Sequence, residues 1–181
     1  MTLDELNRLP LAAAREALER CCGARAWVEG MCAARPWRDG SALLAAAERV
    51  ADALGREDWL EAFARHPRIG DRDALRSKFA AAPAAGGEPQ RSVAAWARAE
   101  QRGAASASEL TLDALAEANR AYERRFGYIF IVCATGKSAG EMLALLRARL
   151  ANDPEAELAN AAREQRAITR LRLEKLLGEP A

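Results

Sequence analysis

Apolar side chains recur every three or four residues along most of this chain, which is the spacing of one face of an α-helix. One such stripe comprises Leu43, Leu44, Ala47, Val50, Ala51 and Leu54. A second stripe comprises Leu112, Leu115, Asn119, Tyr122 and Phe126. A third, expected to face inward, comprises Met142, Leu145, Leu146 and Leu150. The pattern predicts an all-α fold, a helical bundle made by a single domain over residues 1–181.

Capping residues mark the expected ends of these helices. Thr2 and Ser138 each open a capping-box pattern, in which a hydroxyl residue is followed three positions later by glutamate. Asp153 precedes a proline and suits the N-cap of a long final helix. Ser41 is expected to cap the helix of the first stripe, and Gly55 to terminate it.

One segment, residues 128–134, departs from the helical pattern. It reads Tyr-Ile-Phe-Ile-Val-Cys-Ala, which is apolar, rich in β-branched residues and too short for an ordinary helix. We expect buried extended backbone or an irregular turn, whose N–H and C=O groups need partners or line a pocket. The alternative is a short helix start that crosses the core.

Composition and charge narrow the classes of partner. The chain has 181 residues, of which 50% are hydrophobic, and 27 Lys and Arg against 26 Asp and Glu give a net charge of +1. This balance offers no electrostatic basis for binding nucleic acid or an anionic membrane surface. No apolar run reaches the roughly 18 to 20 residues of a membrane span, and the first residues lack a leader pattern. We expect a soluble, cytoplasmic protein with small or neutral partners.

The cysteine and histidine census argues against a metal site. The four cysteines, Cys21, Cys22, Cys32 and Cys133, form no Cys-x-x-Cys pair, and the chain has one histidine. A zinc site of ordinary spacing is therefore not expected. Cys21, Cys22 and Cys32 lie in or beside helical patterns, and we interpret these three as reduced packing residues.

That histidine, His66, stands directly before Pro67. Proline disfavours the α conformation of the residue before it, so the helix carrying Trp59 and Phe63 should end near His66. An imidazole titrates near neutral pH, which makes His66 the natural proton carrier of this chain. The alternative is a helix-end histidine that only bonds nearby carbonyls.

Two further positions are candidates for polar chemistry. Glu100 and Gln101 place an acid beside an amide, although a helical glutamate is more often a solvated surface residue. Arg172 lies in line with the apolar stripe of the final helix, four residues after Ile168 and four before Leu176. It either meets an anion in the interior or extends its head to water.

Five motifs follow one another along the chain: His-Pro-Arg-Ile-Gly at 66–70, Ala-Glu-Gln at 99–101, Asn-Arg-Ala-Tyr-Glu-Arg-Arg-Phe-Gly at 119–127 with the apolar run to 134, Arg-Ala-Arg-Leu-Ala-Asn at 147–152 and Leu-Arg-Leu at 171–173. In this order they resemble the motifs of the OHCU decarboxylase family, which acts on 2-oxo-4-hydroxy-4-carboxy-5-ureidoimidazoline (OHCU). The resemblance extends from about residue 3 to 177. It implies an all-α, cofactor-free decarboxylase of urate breakdown, usually a homodimer, that converts OHCU to S-allantoin.

The resemblance also implies a role for each matched residue. His66 matches the catalytic histidine and Glu100 the catalytic acid. The substrate-binding positions that it implies are Pro67, Gln101, Phe130, Ile131, Val132, Cys133, Ala134 and Arg172. Of these, residues 130–134 match a segment that binds through its main chain, and Arg172 matches an arginine that holds a polar or anionic part of the ligand.

The sequence departs from the family pattern at Ala97, where many members have a serine three residues before the glutamate. One hydroxyl contact to substrate is then missing, worth about 0.5 to 1.5 kcal/mol if nothing replaces it. Two other functions therefore stay open, a catalytically silent helical binding module and a diverged paralogue acting on another ureido compound.

Overall fold

The computed structural model describes residues 1–66 and 109–178. Within these two stretches the chain forms eight α-helices and no strand, so the predicted all-α fold is confirmed. The helices are α1 Leu3–Arg8, α2 Leu11–Glu19, α3 Arg25–Ala33, α4 Gly40–Asp52, α5 Arg56–Ala64, α6 Glu109–Phe126, α7 Ala139–Arg149 and α8 Pro154–Leu176. The chain divides into two compact units, Met1–Arg65 with Ala162–Ala181, and His66–Ala161. A single domain over the whole chain stays a prediction.

In the first unit, α3 packs against α2, α4 and α5. Trp27 of α3 is fully buried, and its indole N–H donates to the Ala47 carbonyl of α4 at 3.2 Å. Gly30 allows α3 and α4 to approach closely, because a Cβ at this position would lie 2.6 Å from Cγ1 of Val50. The close approach of the two helices therefore depends on a glycine.

We expect Gly30→Ala to lower the free energy of unfolding by about 1 to 3 kcal/mol, because the added methyl overpacks the contact with the stiff Val50 side chain. Gly140→Ala in α7 is the matched control, since a Cβ there meets nothing within 4 Å. Alanine favours a helix more than glycine does, so the control should be neutral or stabilising. Urea unfolding of both variants measures the difference, and equal stabilities would contradict the overpacking argument.

In the second unit, α6 packs against α7. The predicted stripe of α6 is confirmed, because all five of its residues are buried. In α7, Met142 and Leu146 are buried, whereas Leu145 is 38% exposed, so the expectation that Leu145 points inward was wrong. Successive helical residues lie about 100° apart around the axis, and a narrow buried face holds Leu146 but not its neighbour.

The helix ends agree with the sequence at some positions and differ at others. The capping boxes at Thr2 and Ser138 are both present. Ser41 does not cap α4, because Asp39 does so by accepting a hydrogen bond from the Ala42 amide at 2.7 Å. Gly55 is the N-cap of α5 and not the terminator of α4. Among the helices of residues 1–66 and 109–178, none is long and apolar enough to cross a membrane.

Candidate active site

Residues 128–134, between α6 and α7, are neither helix nor strand. Most of their side chains are buried, namely Tyr128, Phe130, Ile131, Val132 and Ala134. The expectation of buried, irregular backbone is confirmed, and the alternative of a short helix is wrong. We call this stretch the apolar segment.

Basic groups from nearby residues satisfy carbonyls of the apolar segment. Arg149, the last residue of α7, donates from Nη1 to the Ile131 carbonyl at 2.8 Å. Lys137 donates from Nζ to the Cys133 carbonyl at 2.7 Å and from its backbone N–H to the Ala134 carbonyl at 3.1 Å. The carbonyls of Ile131, Cys133 and Ala134 thus have hydrogen-bond partners although the segment belongs to no sheet. Buried backbone outside a helix or sheet requires such partners.

The arginine that holds the Ile131 carbonyl, Arg149, also binds a fully buried carboxylate, that of Glu157. Arg149 Nε donates to its Oε1 at 2.7 Å, and Asn152 Nδ2 donates to its Oε2 at 2.7 Å. The Tyr122 hydroxyl donates a short hydrogen bond to the same Oε1. We call Glu157, Arg149, Asn152 and Tyr122 the Glu157 network. Its charge pair is nearly removed from water, because the Arg149 side chain is 11% exposed and that of Glu157 is 0% exposed.

The first turn of α8 places Glu157. Asp153 caps this helix, accepting a hydrogen bond from the Glu155 amide at 2.9 Å, and Glu157 follows one turn into it. A helix N-terminus carries partial positive charge, so a carboxylate is favoured at this end. The location therefore adds to the attraction of Arg149.

Aromatic rings join the network to the apolar segment. The Tyr122 ring lies edge-on to that of Phe130, with centroids 5.2 Å apart, and 5.9 Å from that of Tyr128. The guanidinium of Arg149 lies over the Phe130 ring, 4.7 Å from its centroid. Both Tyr122 and Arg149 thus contact the segment as well as Glu157, so that side chains and backbone are fixed by the same groups.

The Glu157 network shifts the pKa values of Glu157 and Tyr122 in opposite directions. Burial raises the pKa of Glu157, but hydrogen bonds from Arg149, Tyr122 and Asn152 outweigh it, and the net pKa lies below the ordinary value of 4.5. Burial, together with the hydrogen bond to Glu157, raises the pKa of Tyr122 far above its ordinary value. Glu157 is therefore an anion and Tyr122 a neutral donor at neutral pH.

This shift predicts a specific loss of stability in acid. Because folding lowers the pKa of Glu157, the carboxylate stabilises the protein above about pH 4.5 and loses this contribution as the pH falls through its folded-state pKa. Urea unfolding between pH 6 and pH 3 should show a steeper decline for the wild type than for Glu157→Gln, which has no proton to bind. Parallel declines would contradict the assignment.

Arg172 lies in the first unit and is buried, with 3% of its surface exposed. The alternative in which its guanidinium extends to water is therefore wrong. Its Nη1 donates to the Arg20 carbonyl at the C-terminal end of α2, at 3.4 Å. Burial raises the pKa of the neighbouring Cys22 thiol to about 11, although the charge of Arg172 opposes the change.

The other predicted site residues fall at or beyond the edge of the described chain. α5 ends at Ala64, and His66 follows two residues later with a partly exposed side chain, so the predicted end of the helix is confirmed. Pro67, Glu100, Gln101 and Ala97 lie outside the described residues. Of the predicted substrate-binding positions, the structure describes residues 130–134, which lie in the second unit, and Arg172, which lies in the first.

All four cysteines lie in the described stretches and are thiols, outside any disulfide. Cys21, Cys22 and Cys32 are buried, and Cys133 is partly exposed. Their interpretation as reduced packing residues is confirmed for the three buried positions.

A crevice in the first unit is lined by residues from α3, α4, α5 and α8, among them Trp27, Trp59 and Arg166. Arg166 is already paired there with Asp52 at 2.7 Å and with Glu48 at 3.3 Å. Of the predicted site residues that the structure describes, namely His66, Arg172 and those at 130–134, none is among the residues that line this crevice.

Sequence reasoning missed Glu157. An acidic residue shortly after Asp-Pro is typical of the solvated first turn of a helix. This position therefore gave no reason to expect that Glu157 is buried. A signal was present, because Glu157 continues the stripe of Ala161, Gln165, Ile168 and Arg172 along α8, and all five are buried. Arg149 and Asn152 belong to a motif of the resemblance, but spacing alone did not reveal their common partner.

Comparison with solved structures supports a known fold. A crystal structure of an OHCU decarboxylase in the presence of (S)-allantoin superposes with a TM-score of 0.68 at 32% identity, covering 89% of this chain and 96% of that one. A crystal structure of an (S)-allantoin synthase shares the fold at 18% identity with a TM-score of 0.67, covering 98% of this chain and 54% of that one. The fold therefore defines an all-helical protein of the kind seen in both crystals.

The family itself follows from the sequence comparison. The chain belongs to the OHCU decarboxylase family, whose model matches residues 7–174. The uric acid degradation bifunctional protein TTL of Arabidopsis thaliana is 37% identical over 163 residues, or 89% of this chain and 46% of that protein. The 2-oxo-4-hydroxy-4-carboxy-5-ureidoimidazoline decarboxylase of Amia calva is 36% identical over 89 residues, or 46% of this chain and 51% of that protein. The matched regions thus span about half the length of these curated relatives.

Proposed function

We propose that this protein decarboxylates OHCU to S-allantoin, without a metal or an organic cofactor, in urate breakdown. The observation that carries the proposal is the match to the OHCU decarboxylase family over residues 7–174. The name of the Amia calva relative and the allantoin in the crystal of the 32%-identical protein support the same reaction.

The chemistry needs positioning more than it needs new reactive groups. When the bond to the carboxylate breaks, carbon dioxide leaves and the bonding electrons form a double bond to the neighbouring ring carbon, whose C=N electrons pass to the nitrogen and are taken up by a proton. A second proton then reaches one face of that neighbouring carbon, which carries the ureido group, and fixes the S configuration. The hydroxyl loses its proton in the same conversion and becomes the ring carbonyl of allantoin. The protein has to orient the leaving carboxylate, stabilise the charge on the ring and control the second proton.

The residues fit these tasks as follows. His66 lies beside the substrate hydroxyl and carboxylate, and Glu100 hands over or orients the proton. Gln101 contributes an amide contact, and Pro67 forms part of the pocket wall. Residues 130–134 bind the ureido and ring groups through main-chain atoms. The buried, irregular backbone of that segment supports this role, because its peptide groups are not committed to a helix.

Arg172 is expected to hold a polar or anionic part of the substrate. This residue is 3% exposed, and at a position removed from water a charge-assisted hydrogen bond to a polar or anionic ligand group is stronger than at the surface. Arg172→Ala should raise KM about tenfold or more, with a smaller effect on kcat, in steady-state assays of the decarboxylation. An unchanged KM would contradict this role.

Circular dichroism of a coupled reaction tests the function directly. Urate oxidase and hydroxyisourate hydrolase generate the unstable substrate, and this protein is added or withheld. Rapid growth of the S-allantoin signal only when the protein is present would support the proposal. A slow drift towards racemic product at the same rate in both samples would overturn it.

Ala97 is the observation that favours a second candidate, a catalytically silent binding module with the same fold. The two candidates differ in the coupled assay, because the silent module leaves the spontaneous drift unchanged. A diverged paralogue would show the same lack of turnover with OHCU and would turn over another ureido compound.

The proposal extends to a cytoplasmic homodimer that acts as a single domain. Light scattering of the purified protein tests the assembly, with a mass near twice 19.6 kDa as the expected result. A mass near 19.6 kDa at assay concentration would overturn the dimer.

A further inference from the structure

We infer that Arg149 and Glu157 are positioning residues for the substrate, which act by orienting peptide groups of the apolar segment. The inference rests on the proposed function, in which residues 130–134 bind the substrate through the main chain. Neither residue has to touch the substrate for this role. Its basis is the chain of contacts that runs from the buried carboxylate to the Ile131 carbonyl.

Arg149 links Glu157 to the Ile131 carbonyl by binding both. Its Nε donates to Glu157 Oε1 at 2.7 Å, and its Nη1 donates to the Ile131 carbonyl at 2.8 Å. The planar fork of a guanidinium fixes the angle between these two donors. The position of Glu157 therefore sets the direction from which the Ile131 carbonyl is held.

Holding this carbonyl also orients the next amide. A peptide unit is planar, and in the trans form its C=O and N–H point in opposite directions. The bond between Ile131 and Val132 is trans. Because Arg149 draws the Ile131 carbonyl to one side, the Val132 N–H is directed to the opposite side. Arg149 and Glu157 thus present a main-chain donor away from themselves.

Lys137 orients the peptide group between Cys133 and Ala134 in the same way. Lys137 Nζ holds the Cys133 carbonyl at 2.7 Å, and the trans bond that follows directs the Ala134 N–H away from Lys137. In an irregular segment without a sheet, such side chains replace the neighbouring strand that would otherwise fix the peptide orientation. A pair of pre-oriented donors is suited to carbonyl oxygens of a small ureido compound.

Glu157 in turn fixes Arg149. Asn152 Nδ2 at 2.7 Å and the Tyr122 hydroxyl hold the carboxylate from other directions, so it cannot rotate to follow the arginine. Tyr122 is fully buried. Removing the Tyr122 hydroxyl should loosen the carboxylate without introducing a new charge, which provides a mild probe of the same chain of contacts.

Three variants test the inference with steady-state kinetics on enzymatically generated OHCU and with titration calorimetry of S-allantoin. Arg149→Lys keeps the charge but replaces the fork by a single ammonium. We expect its KM and the Kd of allantoin to rise about tenfold, with kcat within about twofold of the wild type. Glu157→Gln should do the same, and Tyr122→Phe should raise KM about threefold. Arg147→Lys, at an exposed position of the same helix, is the matched control and should leave both constants unchanged.

A merely structural role predicts a different result. It would lower the melting temperature and the fraction of active protein, while the folded fraction would keep the wild-type KM. Measurements at a temperature where circular dichroism shows full folding separate the two effects. Should Glu157→Gln not fold, Arg149→Lys and Tyr122→Phe carry the test.

The outcomes distinguish this inference from the proposed function. A wild-type protein that turns over OHCU, with KM unchanged in both Arg149→Lys and Tyr122→Phe, overturns the positioning role alone. A wild-type protein that neither turns over OHCU nor binds allantoin overturns the proposed function and the positioning role with it. Raised KM and Kd at wild-type kcat support both.

Discussion

His66→Ala should reduce decarboxylase turnover by about 100- to 10,000-fold, the range over which general acid and base groups contribute to enzymatic rates. His66 is the one imidazole of the chain, so no other side chain of its type can take over the proton. The fold should survive, because the ring is partly exposed and follows the end of α5 instead of packing inside it. The measurement is the rate of S-allantoin formation by circular dichroism.

Glu57→Ala is the control for this variant. Glu57 is exposed on α5 and has no proposed part in the reaction. Its turnover and melting temperature should match those of the wild type, while His66→Ala matches only in melting temperature. If His66→Ala retained near-wild-type turnover, the role assigned to the imidazole would be wrong, although the rest of the proposal would stand.

Glu157→Ala should lower the free energy of unfolding by about 3 to 5 kcal/mol. The loss comes from the groups that remain, since Arg149 keeps a nearly buried charge and both Tyr122 and Asn152 lose an acceptor. An intact buried ion pair is weak evidence for stability, but removing one partner leaves the cost of desolvation without compensation. Urea unfolding at pH 7 measures the change.

Glu155→Ala gives the matched control, because Glu155 is exposed in the same first turn of α8. It should cost at most about 1 kcal/mol, the usual contribution of a carboxylate to a helix N-terminus. The double variant Arg149→Met with Glu157→Leu should recover part of the loss, since it removes both charges together. If Glu157→Ala were no less stable than Glu155→Ala, the network would not stabilise the fold.

The helices were largely predictable, because their apolar stripes report burial directly. The stripe of α6 from Leu112 to Phe126 is buried at every predicted position. Helix ends were less certain where two residues could serve the same purpose. Asp39 and Ser41 are both good N-caps, and the structure uses Asp39. Leu145 was misplaced because an apolar side chain beside a buried face does not have to lie on it.

The candidate site was predictable only where the residue pattern was unusual. An apolar run too short for a helix indicated the irregular backbone of residues 128–134. For Arg172, in line with an apolar stripe, the sequence left burial and extension to water both open, and the structure shows burial. Glu157 gave no such contrast, because acidic residues are ordinary in a first helical turn. Its partners Tyr122 and Arg149 are 35 and 8 residues away along the chain, so only folding brings them together.

The first unit is built from two stretches that lie far apart in the sequence, residues 1–65 and 162–178, and this constrains the order of folding during synthesis. Contacts such as Arg166 with Asp52 and Arg172 with Arg20 join residues 114 and 152 positions apart. Closing a loop of that length costs entropy before any contact compensates for it. While the ribosome is still extending the chain, α1 to α5 lack the helix that completes their core. A chaperone that shields exposed apolar surface would therefore serve α1 to α5 until residues 162–178 have been synthesised.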